Sequence, residues 1–180
     1  MGSVFDATVM GLDRNRCLHS YIGWIHVLDG NVEMIVIVTG SREFTDEFYL
    51  YEKLLTIRQV YGSIFVVVGD CPTGADYFAK NWCVANGQEF KEFKANWERP
   101  CTVTCFHAPR FKNGKRYCAQ AGHYRNQEMI DWAKAKFNAN GVVCLGFYKE
   151  GARNRGTSDC CRRAKAAYIP VTKHWEKGVS

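Results

Sequence analysis

The 180-residue sequence lacks any apolar run close to the roughly 20 residues that a membrane-spanning helix requires. It also lacks a basic segment followed by an apolar core at its start, so no signal peptide is expected. Its charge is only moderately unbalanced, with a formal net charge of +6. We therefore expect a cytoplasmic protein without a membrane partner. The basic balance suits phosphorylated small molecules as well as nucleic acid.

Disorder of the whole chain is excluded as well, because 47% of the residues are hydrophobic and 14% are aromatic. Nine cysteines would indicate a disulfide framework in a small secreted protein. Here several of them lie inside periodic segments, such as Cys83 on a helical pattern and Cys144 in an apolar run. Cysteine acts as a small hydrophobic residue in such places. We therefore expect reduced thiols in the cytosol.

The pattern of hydrophobic residues divides the chain into two parts. Residues 1–33 show no clean period and are interpreted as an N-terminal extension of uncertain structure. From residue 34 onward, apolar β-branched runs alternate with helical spacing, which predicts one domain over residues 34–175. A long loop or insertion at about 96–122 interrupts it. This order predicts an α/β, Rossmann-like parallel sheet with helices on both faces.

Some element boundaries are visible in the sequence. Thr45 or Asp46 is predicted to cap the first helix. Ser63–Gly69 and Gly141–Phe147 are predicted as buried strands, because they are continuous apolar runs bounded by turn residues. Tyr168–Val171 is predicted as a last short strand.

Three predicted strands run into a helix through a turn that contains glycine. The carboxyl ends of parallel strands are where such sheets bind ligands, so we predict that the residues of these turns form one anion-binding pocket. The predicted residues are Gly40, Ser41 and Arg42, then Gly69, Asp70, Gly74, Ala75 and Asp76, and finally Gly156, Thr157 and Ser158. Glycine permits close approach, helix N-termini expose N–H groups, and arginine offers a fork of donors. The alternative for the first turn alone is a plain strand–helix turn with a surface arginine, and for the other two it is helix capping without a ligand.

Individual side chains in these turns suggest particular roles. Ser41 offers a hydroxyl and a backbone N–H, and Asp76 is expected either to cap its turn or to accept hydrogen bonds from a ribose. Arg125 and Asn126 begin the helix after the long loop. A cation there opposes the helix dipole, so a ligand phosphate is the predicted partner of Arg125, with a solvated arginine as the alternative. Asp159 is either a first-turn acid or a carboxylate facing the ligand.

Four segments resemble successive motifs of one known family. They are VIVTGSREFTD, GDCPTGADYFAKNW, HYRNQEMI and RGTSDCCRRAKAAYIPV, and they resemble the YspA-like branch of the SLOG superfamily over roughly residues 35–171. The resemblance implies a Rossmann-like domain that binds a nucleotide or a nucleotide-derived small molecule, with relatives in bacteria, phages and conflict systems. It also implies a homodimer or higher homo-oligomer.

The resemblance raises the question of catalysis as well. Related LOG phosphoribohydrolases cleave the N-glycosidic bond of nucleoside monophosphates with an arginine and a glutamate. Arg125 with Met129 is similar to the first motif, whereas Cys160 stands at the glutamate position and the acid is one residue earlier, at Asp159. We therefore expect binding for sensing or sequestration, without a cofactor. N-glycosidase activity carried by Arg125 and Asp159 is the alternative, and DNA binding of the Smf/DprA type is a second one.

The long loop carries two weaker signals. Its thiols and imidazoles could in principle bind zinc, but their spacing fits no strong template, so we interpret them as ordinary loop residues and expect no metal. They are Cys101, Cys105, His107 and Cys118, followed by His123. The basic stretch Arg110–Arg116 could contact nucleic acid or close over a base, although a flexible solvated loop is the favoured interpretation.

Overall fold

The computed structural model describes residues 34–108, 110–136 and 141–176, so the predicted extension at residues 1–33 lies outside the described residues. Apolar runs form the central strands, and the amphipathic segments between them form helices. In chain order the elements are β1 (Met34–Gly40), α1 (Glu47–Tyr61), β2 (Ile64–Gly69), α2 (Ala75–Ala85), β3 (Phe90–Phe93), β4 (Arg110–Lys112), β5 (Lys115–Tyr117), α3 (Ala121–Lys136), β6 (Val142–Tyr148), α4 (Arg155–Ala166) and β7 (Val171–Trp175).

The main sheet has five parallel strands in the order β3-β2-β1-β6-β7. This arrangement confirms the predicted α/β, Rossmann-like fold. The chain builds outward from β1 to β3 and then returns to place β6 on the other side of β1, where Gly40 lies opposite Phe147. Strand order therefore reverses between β1 and β6. The crevice at the carboxyl ends of these strands is the usual ligand position in open parallel sheets.

Helices cover both faces of this sheet. On one face α1 and α2 pack over strand residues such as Val36 and Val66, and on the other face α3 and α4 pack over Ile35 and Val67. Successive strand side chains point to opposite faces, so a strand covered on both sides has to be apolar at every position. This requirement explains the uninterrupted apolar run of β1. No helix among the described residues is both long enough and apolar enough to cross a bilayer.

Two predicted boundaries had different outcomes. Asp46 caps α1 as expected, because its side chain accepts a hydrogen bond from the N–H of Tyr49 at 3.0 Å. The predicted last strand at Tyr168–Val171 is wrong, since β7 begins only at Val171. Tyr168 has a φ of +61°, outside the range of a strand, and Pro170 has no N–H for a ladder. The chain therefore turns at these residues before it joins the sheet.

The segment 96–122 is more than a loop. It contains the antiparallel hairpin β4–β5, in which Arg110 pairs with Tyr117. Asn113 and Gly114 form the connection, with φ values of +50° and +75°. Asn-Gly favours this two-residue hairpin turn, because both positions need a positive φ. The interpretation of the basic stretch as a flexible loop is therefore wrong for residues 110–117, which place their cations on an ordered ribbon.

Candidate functional site

A cavity of about 1080 Å³ lies at the carboxyl ends of β1 and β2, next to the start of α4. This volume is at the upper end of the roughly 300–1,000 Å³ that is typical of small-molecule sites. Its wall includes the following residues of the predicted set: Gly40, Ser41, Arg42, Asp70, Asp76, Arg125, Asn126, Gly156 and Thr157. The turns after β1, β2 and β6 thus meet at one place, the reversal point of the strand order.

Ser41 connects the three turns through its backbone. Its N–H donates to the carbonyl of Phe147 at 2.9 Å, and its carbonyl accepts from the N–H groups of Phe44 and Ala75 at 3.2 and 3.4 Å. The hydroxyl oxygen accepts the N–H of Glu43 at 3.2 Å. The backbone N–H that we expected to face a ligand is therefore already used. The hydroxyl hydrogen can still donate into the cavity.

Gly74 brings the start of α2 against the end of β1. Its φ is +74°, a conformation that favours glycine, and a Cβ at this position would collide with the carbonyl oxygen of Ser41. Within the described residues, no side chain caps α2, whose N-cap residue is Gly74 itself. The alternative that Asp76 caps this turn is therefore wrong. Its carboxylate is left for contacts inside the cavity.

Arg125 enters the cavity from α3 and meets two carboxylates. Its Nη1 lies 3.2 Å from Asp70 Oδ1 and 3.9 Å from Asp76 Oδ2. Gly69 leaves the space for this side chain, because a Cβ there would overlap the guanidinium group. Arg125 is therefore anchored by the protein itself. Its predicted contact with a ligand phosphate would add to these two ion pairs.

Asp76 is the most perturbed acid of the cavity. The residue is only 6% exposed, and its Oδ1 has no hydrogen-bond partner among the described residues. Burial raises the pKa of Asp76 from 3.8 to about 6, and the charge of Arg125 and the N–H of Gly40 offset burial only in part. A buried acceptor without a partner is uncommon in folded proteins. It marks the point where a ligand hydroxyl or N–H can be received.

Cations surround the mouth of the cavity. They are Arg42, Lys112, Lys115, Arg116 and Arg153, and all of them are exposed. Within the part of the chain that the structure describes, the ion pairs do not involve any of these five side chains. Glu43 and Glu98 are exposed in the same wall, so this exposed rim carries five cations and two acids. The floor carries Asp70 and Asp76, which pair with Arg125.

Comparison with known proteins agrees with this geometry. The model of the family described as YspA, cpYpsA-related SLOG matches residues 34–99. The Gene 61 protein of Mycobacterium phage D29 is 32% identical over 149 residues, which cover 79% of this chain and 97% of that protein. The chain belongs to this SLOG family. The resemblance inferred from the four motifs is thereby confirmed, and the SLOG match contains the turns after β1 and β2.

The acid expected to serve a SLOG hydrolase lies outside this cavity. Asp159 Oδ2 accepts hydrogen bonds from Asn126 at 3.1 Å and Arg163 at 2.8 Å, and its Oδ1 pairs with Arg162 at 2.6 Å. Burial raises the pKa of Asp159, but the bonds from Arg163, Asn126 and His123 outweigh burial and lower the pKa to about 2. The carboxylate therefore ties α4 to α3. It borders a separate shallow groove instead of the large cavity.

The remaining predicted site residues do not line the cavity. Gly69, Gly74 and Ala75 are buried under the turns, where their backbones allow close packing. Ser158 borders the shallow groove together with Asp159. The hairpin cations and Trp97 line the cavity but were absent from the predicted set. The Asn113-Gly114 turn was the signal that could have found the hairpin, because it folds the basic stretch back on itself.

Proposed function

We propose that the cavity of this SLOG protein binds a nucleotide or a nucleotide-derived small molecule, for sensing or sequestration. The observation that carries this proposal is the charge arrangement at the strand reversal point. Exposed cations outnumber exposed acids at the mouth, and the carboxylates of Asp70 and Asp76 occupy the floor. A nucleotide has the matching order of groups, because its anionic phosphates are joined to a ribose whose hydroxyls are good donors to carboxylates.

The phosphates are assigned to the rim and to the start of α4. The first N–H groups of a helix have no partner within it and form a ready anion site. In the part of the chain that the structure describes, no side chain caps α4, because its N-cap residue Asn154 bonds instead to Lys149 and Ala152. Gly156 and Thr157 of this first turn line the cavity. Arg42 and Arg153 lie in the same wall and add charge.

The ribose is assigned to the floor. Asp76 offers an unpartnered oxygen, and Asp70 lies beside it on the same Arg125 guanidinium. Two neighbouring carboxylates can accept the two hydroxyls of a ribose, whereas they would repel a phosphate. The proposed orientation therefore has the sugar against Asp76 and the phosphates toward Arg42 and α4.

The geometry favours binding over hydrolysis. The Asp159 carboxylate is fully engaged with α3 and α4 and does not border the cavity, so it is poorly placed to stabilise a ribosyl cation. Chromatography of a mononucleotide after long incubation with the protein should recover it intact. Release of free base that Asp159→Asn abolishes would instead support the N-glycosidase alternative.

Calorimetric titration with a panel of ligands tests the binding proposal. The panel contains NAD, ADP-ribose, mononucleotides, cyclic dinucleotides and a single-stranded oligonucleotide. For the nucleotide that binds, Arg42→Ala should weaken affinity roughly 10- to 100-fold, because a charge-assisted hydrogen bond contributes about 1.5–3 kcal/mol. Arg58→Ala, on α1 and away from the cavity, is the matched control.

The panel also separates the competing functions. Absence of any heat change or thermal shift with all small molecules at millimolar concentration would overturn the proposal. Steeply salt-dependent binding of the oligonucleotide alone, lost in Lys112→Ala, would favour DNA binding instead. A homodimer or higher homo-oligomer and a cytoplasmic location stay predictions, which light scattering and cell fractionation can check.

A further inference from the structure

Four metal-ligating side chains from the segment 96–122 converge at one point. The ligand atoms of Cys101, Cys105, His107 and Cys118 all lie within 4.8 Å of one another. His123, the fifth candidate in the sequence, points elsewhere, with its Nδ1 3.1 Å from Asp159. The fold therefore brings together one histidine and three cysteine thiols, which is the ligand set of a common type of structural zinc site.

Three of the six separations between the ligand atoms match the edges of a tetrahedral site, and all six are within 4.8 Å. Cys105 Sγ lies 3.8 Å from Cys118 Sγ, and His107 Nε2 lies 3.7 Å from Cys101 Sγ and 3.6 Å from Cys118 Sγ. Zinc–sulfur bonds of about 2.3 Å and zinc–nitrogen bonds of about 2.05 Å give tetrahedral edges of about 3.8 Å and about 3.6 Å. The observed spacings therefore leave room for one ion of this size.

The orientation of His107 supports the same reading. Its Nδ1 lies 2.8 Å from the carbonyl oxygen of Ala108, and a carbonyl can only accept, so Nδ1 carries the proton. The lone pair of Nε2 then faces the thiols. Ligating histidines usually donate their second nitrogen to a carbonyl or a carboxylate in this way.

The described part of this segment buries little apolar surface. Among the described residues, the buried members of its apolar cluster are Ala95, Cys118 and Ala121, while Val103 and Phe106 are 98% and 88% exposed. A disulfide does not explain the thiols, because 3.8 Å between Cys105 and Cys118 is far beyond the roughly 2.05 Å of a sulfur–sulfur bond. A bound metal is a standard replacement for a missing core in such small units.

We propose that Cys101, Cys105, His107 and Cys118 bind one Zn²⁺ ion in a closed structural site. The interpretation of these side chains as ordinary loop residues is thereby replaced. The ligands flank the hairpin β4–β5, three before it and Cys118 just after it, so the ion ties the two ends of the hairpin together. The zinc site thus holds the hairpin cations at the cavity mouth. Its contribution to ligand binding rests on the proposed nucleotide binding.

Metal analysis of the full chain tests the site directly. Protein produced with zinc in the medium should contain about one zinc per chain, and Cys101→Ala and His107→Ala should each lose most of it. Matched controls are Cys71→Ala, a free thiol outside the cluster, and His123→Ala, and both should keep the zinc. Zinc-free wild-type protein, or a Cys105–Cys118 disulfide in freshly purified protein, would overturn the proposal.

Cobalt substitution keeps the test decisive if the ligand variants fold poorly. Wild-type protein stripped of metal and titrated with Co²⁺ should show visible bands of tetrahedral cobalt and near-ultraviolet thiolate charge-transfer bands. One equivalent should saturate both sets of bands, and added Zn²⁺ should abolish them. Loss of one thiolate in Cys101→Ser should reduce the charge-transfer intensity by about a third. The weak pink spectrum of octahedral cobalt would contradict the assignment.

The consequence for ligand binding has a separate readout. Chelation of zinc should weaken nucleotide binding at least as much as Lys115→Ala does, while the circular dichroism of the α/β sheet changes little. Zinc and cobalt binding require no nucleotide, so they can succeed even if the proposed function fails. Unchanged affinity after zinc removal would refute only the link between the zinc site and the cavity.

Discussion

The substitution Asp76→Asn should make the protein more stable at neutral pH and at the same time less able to bind its ligand. The pKa of Asp76 is raised from 3.8 to about 6, so the folded state disfavours the charged carboxylate. Each pH unit between these values corresponds to about 1.4 kcal/mol, which gives a cost of about 3 kcal/mol near pH 7.5. Asparagine has the same shape and cannot ionise, so this cost disappears.

The raised pKa of Asp76 determines in which direction the stability changes with pH. A carboxyl group with a raised pKa binds its proton more tightly in the folded state, so wild-type stability falls as pH rises from about 4 to about 6. The gain from Asp76→Asn should therefore be about 3 kcal/mol at pH 7.5 and only about 1 kcal/mol at pH 4.5. For a chain of this size, the gain at pH 7.5 corresponds to a rise in melting temperature of roughly 6–12 °C.

Urea denaturation at the two pH values, followed by circular dichroism, measures this difference. Asp131→Asn, which removes an exposed carboxylate on α3, should leave the midpoint nearly unchanged at both pH values. In the same preparations, Asp76→Asn should weaken nucleotide binding by more than about tenfold, because the ribose loses a charged acceptor. A variant less stable than wild type at pH 7.5, or a gain that does not depend on pH, would refute the reasoning.

Two further predictions concern the framework of the site. Gly74→Ala should destabilise the protein by about 2–4 kcal/mol in urea denaturation. The new Cβ would collide with the Ser41 carbonyl, and alanine is also strained at this positive φ. Gly87→Ala has a similar φ of +59° but open space around it, so it should cost only about 1 kcal/mol, and equal costs would contradict the collision. Asp159→Asn should lower stability by about 1–3 kcal/mol at pH 7, because two arginine bonds weaken. That loss should shrink as pH falls from about 4 toward 2, where wild-type Asp159 takes up its proton, and a constant difference would argue against the ion pairs.

The sheet and the position of the cavity could be read from the sequence because each depends on local signals. A continuous β-branched run such as β1 can only be buried on both faces, and a glycine after it marks the turn where a ligand fits. The last strand was misplaced because Tyr168 and Ile169 are apolar like strand residues. The positive φ of Tyr168 and the missing N–H of Pro170 decide against them.

The contacts between side chains in and around the cavity could not be predicted in the same way. Arg125 was assigned to a ligand phosphate because a cation at a helix N-terminus opposes the dipole, whereas Asp70 reaches it from 55 residues away. The thiols and imidazole of the segment 96–122 matched no zinc-binding spacing, because a hairpin separates His107 from Cys118. Contacts between residues that are far apart in the sequence produce no periodic pattern in it, so they cannot be predicted from residue spacing.

The close approach of Arg125 to Gly69 has a consequence for how this protein can change. A methyl group at position 69 would occupy the volume of the guanidinium, so the two positions compete for one space. Gly69→Ala should be severe in the wild-type background and less severe once Arg125 has been shortened to alanine, because the contact of the new Cβ with Asp76 Oδ2 then remains but the overlap with the guanidinium is gone. A mutational path through this site therefore has a required order. The arginine has to be given up first, and with it the anchor of both floor carboxylates, before any side chain can appear at the end of β2.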